Sequence, residues 1–242
     1  MKTLAIVIPA YNEEKSVAAV VESVNNIRLP NVEITPVVIN DCSTDNTQHI
    51  IASLKCVSLN LPCNLGIGGA VQTGYIYAWE NGYDYAMQMD GDGQHPASEI
   101  PAFVAAMQTD NAPDVVIGSR YIHRQGFQSS KIRRLGIQYL GFIIRILTRY
   151  RITDCTSGFR MINRRALSVV CELYPDEYPE PEAILIFRNA GLKIREIPVT
   201  MQERIGGKSS IRDIASLYYI VKVSLAIVFT FFNKQIKIKH HG

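Results

Sequence analysis

The chain carries little charge for its length. Charged residues make up 19% of its 242 residues, below the quarter that is usual in globular domains. This shortage indicates a surface that does not face water everywhere. The formal net charge of +3 is too small to indicate a nucleic-acid-binding protein, and no arginine-rich arm is present. The length suits one α/β domain, or one such domain with a small appendage.

The chain also lacks the cysteine patterns of zinc-binding and disulfide-stabilised domains. Its five cysteines are an odd number and form no CxxC pair. A reduced, cytoplasmic chain is therefore predicted, and a structural zinc site is not. The first residues, MKTLAIVIPAYNEE, do not resemble a secretory signal, because their apolar run is short and ends in proline and acids.

Two common nucleotide-binding motifs are absent. The first predicted strand ends in PAYNEE without a GxGxxG motif, which argues against a Rossmann dehydrogenase. The glycine-rich segment NLGIGGAVQTGY follows the third predicted strand and lacks the Gly-Lys-Ser/Thr of a P-loop. Its glycines, among them Gly66, are predicted to let the backbone approach a ribose or diphosphate; tight helix–strand packing is an equal alternative.

The first 120 residues or so contain a regular alternation of apolar strands and amphipathic helices. Short β-branched runs such as TLAIVIPAY and EITPVVIND alternate with segments of helical spacing. This order predicts an α/β fold with a mostly parallel central sheet and helices on both faces. Polar motifs end the strands, at Pro9–Glu14, Asn40–Asp45, Asp90–Gln94 and Gly118–Arg120. Because ligands of open α/β sheets bind at the carboxyl ends of strands, these motifs are predicted to share one crevice.

The segment MDGDGQHP holds two carboxylates one residue apart. In an extended chain, Asp90, Asp92 and Gln94 point to the same side. Hard oxygen ligands of this kind suit Mg²⁺ or Mn²⁺ bound to a diphosphate. An acid/base pair is a weaker alternative, since a glycine-rich turn offers no apolar pocket to shift the pKa of one acid. A solvated turn is the third alternative, because Asp-Gly pairs are common in turns.

Other charged residues suit a bound nucleotide. Asp41 ends the second predicted strand, where its carboxylate could accept a hydrogen bond from a nucleobase N–H. Asp45 is expected to cap the helix that follows. In the segment ERIGGKSS, Arg204 and Lys208 could clamp a diphosphate, and an ordinary surface loop is an equally good interpretation.

The second half is rich in positive charge. Between Gly118 and Arg165 lie eleven Lys or Arg residues and one acid. This indicates either a solvated basic face or a face turned toward phosphates or an anionic membrane.

The C-terminal segment, from Ser210 onward, predicts one long helix. Its apolar stretch Val223–Phe232 is about half the roughly twenty residues that span a bilayer, and a basic tail follows it. The helix is therefore predicted to lie at a membrane surface, with a core or dimerisation helix as the alternative. This divides the chain into a catalytic domain at 1–210 and a helix with a basic tail at 211–242.

Seven motifs occur together in order: IPAYNEE, NDCSTDNT, NLGIGGA, MDGDGQHP, GSRY, DCTSGFR and ERIGGKSS. With them the chain resembles an inverting glycosyltransferase of family 2 with a GT-A fold. Within that family it is most similar to the dolichyl- or polyprenyl-phosphate sugar transferases. The resemblance extends from about Leu4 to Phe232. One departure is Cys42, which stands where the family usually has glycine.

The resemblance implies a UDP- or GDP-sugar as donor and Mg²⁺ or Mn²⁺ as cofactor. The nucleotide sugar would be held by Pro9, Tyr11, Glu13, Asp41, Gly66, Asp90 and Lys208. The metal would be held by Asp90, Asp92 and Gln94. The acceptor would be held by Arg120, Arg133, Arg134 and Ser157. Asp154 would act as a catalytic base or orient the acceptor, and Arg204 would offset the charge of the leaving diphosphate.

The implied activity is inverting sugar transfer to a polyprenyl phosphate by a cytoplasmic enzyme, peripheral at the inner face of the cell membrane. One alternative is transfer to a sugar hydroxyl of a lipid-linked or cell-surface polysaccharide, which needs a base such as Asp154. Another is a nucleotide-sugar-binding scaffold without turnover. A homo-oligomer and the roles of Glu180 and Glu182 are left open, and no nucleic-acid partner is expected.

Overall fold

The computed structural model describes residues 1–123, 131–177, 179–204 and 213–232, and of 131–133 and 213–218 the backbone alone. Within these ranges seven strands form one sheet: β1 (Lys2–Ala10), β2 (Val32–Asn40), β3 (Val57–Asn60), β4 (Tyr85–Gln88), β5 (Val115–Ser119), β6 (Arg160–Asn163) and β7 (Ile194–Pro198). The α-helices are α1 (Val17–Asn25), α2 (Thr47–Ala52), α3 (Gly66–Glu80), α4 (Ile100–Met107), α5 (Lys131–Thr148), α6 (Arg164–Glu172), α7 (Pro179–Asn189) and α8 (Asp213–Phe232).

The strand order is β3-β2-β1-β4-β6-β5-β7. β1, β2, β3 and β4 are parallel to one another, and β5 is parallel to β7. Only β6, inserted between β4 and β5, runs antiparallel to its neighbours. The predicted class, a mostly parallel α/β sheet with flanking helices and a C-terminal helix, is confirmed.

The central strand β1 extends one residue beyond Pro9, although its sequence predicts an end at the proline. Val7 and Pro9 direct their carbonyls toward the β4 side, where they accept from Met89 and Gly91. These two bonds and the pairing of Ala10 with Asn40 of β2 hold the strand past the proline, so β1 continues to Ala10.

Two apolar cores lie on opposite faces of the sheet. Alternate residues of β1 supply them: Leu4, Ile6 and Ile8 face α1 and α4, while Ala5 and Val7 face α3 and the helices of the second half. These residues are fully buried. Both faces of the sheet are thus covered by apolar side chains. Polar side chains can lie at the edge formed by the carboxyl ends of the parallel strands.

The C-terminal helix α8 packs against α5 and α7. It buries Val223 and Ile227 in the core that also contains Ala5 and Val7. It is therefore partly a core helix, as the alternative interpretation expected. No helix of the described ranges has both the length and the apolar character needed to cross a membrane. The basic tail lies outside these ranges, as does the point at 210 where the sequence divides the chain, so that division stays a prediction.

Candidate active site

The carboxyl ends of β1, β2 and β4 lie side by side at one edge of the sheet. The chain passes from β1 to β2 on one side of β1 and reaches β4 on the other, so a crevice opens between these strand ends. The antiparallel strand β6 begins at the same edge, with Arg160 directly opposite Gln88. Motifs from both halves of the chain therefore meet here.

Asp90 lies at the mouth of this crevice. Its Oδ1 accepts a hydrogen bond from Nε2 of Gln88 at 3.1 Å, and its backbone N–H donates to Nδ1 of His95 at 3.0 Å. The side chain of Asp90 keeps 32% of its surface exposed, whereas His95 keeps 5%. Asp90 is thus held from below and presents its carboxylate to the open side.

Asp92 lies next to Asp90 in the motif and is more deeply buried. Its Oδ1 accepts from the backbone N–H of Gln94 at 2.9 Å, and its Oδ2 lies 2.8 Å from Nη2 of Arg204. The predicted ligand Gln94 therefore contacts Asp92 through its backbone. Arg204, predicted from a distant loop, is brought directly to the acid motif.

Negative charge is crowded at this point. Burial, followed by repulsion from Asp90, raises the pKa of Asp92, and Arg204 opposes that rise. Burial also raises the pKa of Glu13, against the hydrogen bond that Ser16 donates to it, with repulsion from Asp92 and Asp90 added. An added positive charge at this site would therefore be favourable.

The residues present fit a divalent cation that arrives with a diphosphate. Among the described residues, no group of three or more His, Cys, Asp and Glu side chains could hold a metal by itself. Mg²⁺ and Mn²⁺ commonly use one or two carboxylates and take their other ligands from substrate phosphates and water. Asp90 and Asp92 supply such a partial set of hard oxygens, and the guanidinium of Arg204 already occupies a cationic position at Asp92.

Asp41 holds the start of α3. Its two carboxylate oxygens accept from the backbone N–H groups of Leu65, at 2.7 Å, and Gly66, at 3.0 Å. Gly66 has a φ of +76°, which glycine adopts without strain. Only 3% of Asp41 is exposed. These contacts favour a supporting role for Asp41, and its contact with a nucleobase stays a prediction.

The loop after β1 lies at the rim of this crevice, where the sequence predicts the nucleoside. Pro9 lies within β1, whereas Tyr11 exposes 48% of its surface at the rim, where an aromatic ring can stack on a base. The backbone N–H of Glu13 donates to Oγ1 of Thr47. Asp45 accepts from the backbone N–H of Thr47, the first residue of α2. The N-cap of α2 is Asn46, so Asp45 lies one residue before the capping position that the sequence predicted for it.

Arg120 and Asp154 form a buried ion pair at the end of β5. Nε of Arg120 donates to Oδ2 of Asp154 at 2.7 Å, and Nη2 donates to Oδ1 at 2.8 Å. Asp154 is fully buried, and its backbone N–H donates to Glu196. A base must reach the proton of the acceptor, so this geometry does not favour the base role predicted for Asp154. Arg120, predicted to face the acceptor, is committed to the same pair.

A cavity of about 740 Å³ opens beside this pair, along α5. The cavity is lined by apolar residues such as Leu135 and Phe142 and by three arginines: Arg134, Arg145 and Arg151. Among the predicted acceptor residues, Arg134 therefore borders the cavity. Ser157 is buried near the start of β6. The side chain of Arg133, and Lys208, lie outside the described residues.

Several site residues could not be assigned from sequence. Beneath Asp90, the polar side chains of Gln88, Arg160 and Glu180 lie among the buried tyrosines 75 and 174. A weak signal existed: Gln88 interrupts an apolar strand, and Arg160 opens one. Of the two unassigned acids, Glu182 accepts from Thr230 of α8 at 2.6 Å. Burial raises the pKa of Glu180, which the guanidinium of Arg160 opposes.

Comparison with protein families gives a match over residues 5–170 to the model described as "Glycosyl transferase family 2". The chain belongs to this family. The predicted GT-A fold is also confirmed by a solved structure, glucosyl-3-phosphoglycerate synthase from Mycobacterium tuberculosis with Mn²⁺, UDP-glucose and glycerol 3-phosphate. That structure has a TM-score of 0.70 at 19% identity, over 96% of this chain and 80% of the other. At this identity the likeness concerns the fold.

Two relatives are similar over most of their length. A UDP-N-acetylglucosamine–dolichyl-phosphate N-acetylglucosaminyltransferase from Methanococcus voltae is 31% identical over 82% of this chain and 85% of its own. An undecaprenyl-phosphate mannosyltransferase from Micrococcus luteus is 29% identical over 86% and 87%. The resemblance seen in the motifs, to family 2 transferases that act on polyprenyl phosphates, is thereby confirmed.

Proposed function

We propose that this glycosyltransferase moves a sugar from a nucleotide diphosphate to a polyprenyl phosphate at a membrane surface, with inversion at the anomeric carbon. The relatives named above support the class of acceptor, since their names contain dolichyl or undecaprenyl phosphate. The donor is a UDP- or GDP-sugar.

One observation carries the proposal: two complementary sites lie along one edge of the sheet. The acid pair follows β4, and the arginine-lined cavity adjoins the end of β5, where Oγ of Ser119 lies 2.7 Å from Oγ1 of Thr153. One strand, β6, separates β4 from β5, so the strand ends are about 10 Å apart. A sugar bound above Asp90 would thus lie within reach of a phosphate bound in the cavity.

On the donor side, Asp90 and Asp92 would hold Mg²⁺ or Mn²⁺, and Tyr11 and Glu13 would border the nucleoside. When bound, the cation neutralises the diphosphate as the bond to the anomeric carbon breaks. The structure with Mn²⁺ and UDP-glucose that shares this fold supports the choice of a divalent ion. Arg204, beside Asp92, would donate to the diphosphate oxygen that receives the bonding electrons.

On the acceptor side, the cavity suits an anionic headgroup on an apolar chain. Arginines 134, 145 and 151 provide positive charge, and Leu135 and Phe142 provide an apolar wall. A phosphate oxygen is already anionic and can attack without a base. The burial of Asp154 against Arg120 agrees with this, because transfer to a sugar hydroxyl would need an accessible base.

A membrane surface is the third component. Four large apolar side chains on α5 are exposed and recur every three or four residues, which places them on one stripe: Leu135, Tyr139, Phe142 and Ile146. A second exposed stripe lies on the neighbouring α8: Val221, Leu225, Phe229 and Phe232. Arg145 and Arg149 flank the first stripe and are exposed. Apolar stripes with flanking cations are typical of helices that lie in an anionic interface.

The test is a transfer assay with labelled UDP- and GDP-sugars, Mn²⁺ and undecaprenyl phosphate in detergent. We expect label in the organic phase with one donor, and none when a chelator is added. Undecaprenol without phosphate is the matched control acceptor. Asp90→Asn should lower the rate by two orders of magnitude or more, on the order of the effect of losing one electrostatic contact in a transition state.

Each other result has a clear meaning. Label that enters a glycan but never the lipid phosphate would support transfer to a sugar hydroxyl instead. A donor that raises the melting temperature but is never turned over would support the scaffold alternative. Transfer that is unchanged by the chelator would refute the metal role of the acid pair.

A further inference from the structure

A buried polar chamber lies directly beneath the acid motif. Among the described residues, four buried side-chain atoms have no hydrogen-bond partner: Oε1 of Gln88, Oγ of Ser157, Nη1 of Arg160 and Oη of Tyr174. Native proteins leave few such atoms, because a buried polar group without a hydrogen-bond partner is destabilising. Four such atoms therefore need hydrogen-bond partners other than the described protein groups.

Three of these atoms belong to side chains on one side of the sheet, those of Gln88, Arg160 and Tyr174. Gln88 and Arg160 are directly opposite in the antiparallel pair β4–β6, so their side chains lie on the same face. Nε of Arg160 donates to the carbonyl of Ser157 at 2.7 Å. The ring of Tyr174 packs edge-on against Tyr75, and the guanidinium of Arg160 acts electrostatically on both phenols.

The unpaired atoms have complementary chemistry. Nη1 of Arg160 can only donate, Oε1 of Gln88 can only accept, and the two hydroxyls can do either. A water molecule with two to four polar partners is stable inside a protein. One or two waters that accept from Arg160 and donate to Gln88 would pair the orphaned atoms.

Gln88 connects this chamber to the acid motif. Its Nε2 donates to Oδ1 of Asp90 at 3.1 Å. Gly158 closes the other side so tightly that a Cβ there would lie 2.6 Å from Nε2 of Gln88 and 3.6 Å from Oδ1 of Asp90. Gly158 thus leaves no room for a side chain beside this amide. Because a carboxylate oxygen only accepts, the amide directs Nε2 to Asp90 and leaves Oε1 for a donor such as water.

We propose that the chamber binds ordered water, and that Gln88 and Arg160 act through this water as positioning residues for Asp90. Arg160 donates to the water, the water donates to Oε1 of Gln88, and Nε2 then fixes Oδ1 of Asp90. Oδ2, which lies 3.9 Å from Nε2 of His95, is then the oxygen left for a divalent cation. This inference rests on the proposed role of Asp90 as a metal ligand. Groups behind a metal ligand commonly change metal affinity about 10–100-fold when they are removed.

The test measures Mn²⁺ binding directly, by the electron paramagnetic resonance of free Mn²⁺ in the presence of a nucleoside diphosphate. Gln88→Met keeps the length of the side chain and removes both polar atoms. We expect its Kd for Mn²⁺ to rise about tenfold or more, while nucleotide binding without metal stays within about twofold. Tyr174→Phe, which removes one hydroxyl from the chamber, should raise the Kd by a smaller factor.

Gln72→Met is the matched control. Gln72 is a half-buried glutamine of α3 whose Nε2 donates to the carbonyls of Val170 and Cys171, away from the acid motif. Its removal should leave the Kd for Mn²⁺ unchanged at a similar loss of melting temperature. A general loosening of the fold would move both variants alike and would refute the positioning role.

The two levels of the proposal fail separately. If wild type binds Mn²⁺ and Gln88→Met binds it equally well, the chamber does not position Asp90, and the metal site stands. If neither wild type nor Asp90→Asn binds Mn²⁺, the metal site itself is refuted and this inference with it. A crystal structure that shows the space between Arg160 and Gln88 dry would refute the water.

Discussion

Asp92, which follows β4, and Asp154, which precedes β6, are both buried acids at the same edge of the sheet, but their surroundings differ. Asp154 shares both carboxylate oxygens with the guanidinium of Arg120. Asp92 lies beside a second acid, and burial and that repulsion raise its pKa. The negative charge of Asp154 is therefore compensated within the fold, whereas the surroundings of Asp92 disfavour its charged form. This difference is typical of a structural pair on one side and a functional site on the other.

The two halves of the chain also differ in how many large apolar side chains they expose. Of fifteen exposed large apolar side chains among the described residues, eleven lie after β5. Those of α5 and α8 are arranged in stripes, whereas in the first half they are scattered: Met1, Tyr11, Leu65 and Ile67. Scattered apolar residues are normal on a soluble surface, but contiguous ones need a partner. The comparison thus separates a first half with scattered apolar residues from a second half whose apolar stripes support the proposed contact with a membrane surface.

The largest expected effect comes from breaking the matched pair. Asp154→Asn leaves the buried guanidinium of Arg120 without its counter-charge. We expect a loss of roughly 3 kcal/mol or more in the free energy of unfolding, about 6–12 °C in melting temperature. Scanning calorimetry measures this. Asp84→Asn, which weakens the partly exposed ion pair with Lys2 in the donor half, should cost less than about 1 kcal/mol.

The double variant Arg120→Met/Asp154→Leu completes this experiment. Replacing both partners removes the unpaired charge, so part of the lost stability should return. If Asp154 were instead the catalytic base, Asp154→Asn would abolish transfer with an unchanged melting temperature. That outcome would reverse the comparison and revive the sugar-hydroxyl acceptor.

The architecture was largely predictable from sequence, because the first half repeats one pattern. Apolar runs of strand length alternate with helical spacing up to β5, and each run became a strand of the sheet. The second half was less predictable. β6 is four residues long and is inserted antiparallel between β4 and β5, a placement set by long-range pairing that leaves no periodicity in the sequence.

The sequence could predict which residues belong to the candidate site, but not their contacts or their burial. The sequence indicated that Asp90, Asp92 and Arg204 belong to one site, and the structure brings them together. It could not show that Asp154 is enclosed by Arg120, because burial depends on residues 34 positions apart in the chain. For the same reason the sequence could not separate the exposed from the buried members of the basic stretch: Arg160 is fully buried, and Arg164 stacks on Trp79.

A smaller effect should follow from altering the apolar stripe of α5. Burying a phenylalanine in an apolar phase contributes about 1.5–3 kcal/mol, so Phe142→Ser should weaken binding to anionic vesicles about tenfold. Vesicle co-sedimentation measures this, and high salt should weaken the wild-type binding as well. Leu173→Ser is the matched control, since Leu173 is also exposed but lies at the end of α6, off the stripe. Equal binding of both variants would remove the membrane-facing role of α5.

The smallest expected effect is the change in melting temperature when Asp92 is replaced, and its direction depends on pH. Because its pKa is raised in the folded state above the ordinary value of 3.8, the folded protein holds this proton more tightly than the unfolded chain. The contribution of Asp92 to stability is therefore fully present below that value and is lost as pH rises through the folded pKa. In metal-free protein, Asp92→Asn should match wild type near pH 4 and melt slightly higher at pH 7. Mn²⁺ with a nucleoside diphosphate should then stabilise wild type alone. An Asp92→Asn protein that melts lower at pH 7 would mean that Arg204 matches Asp92 as fully as Arg120 matches Asp154, and the contrast between the two halves would disappear.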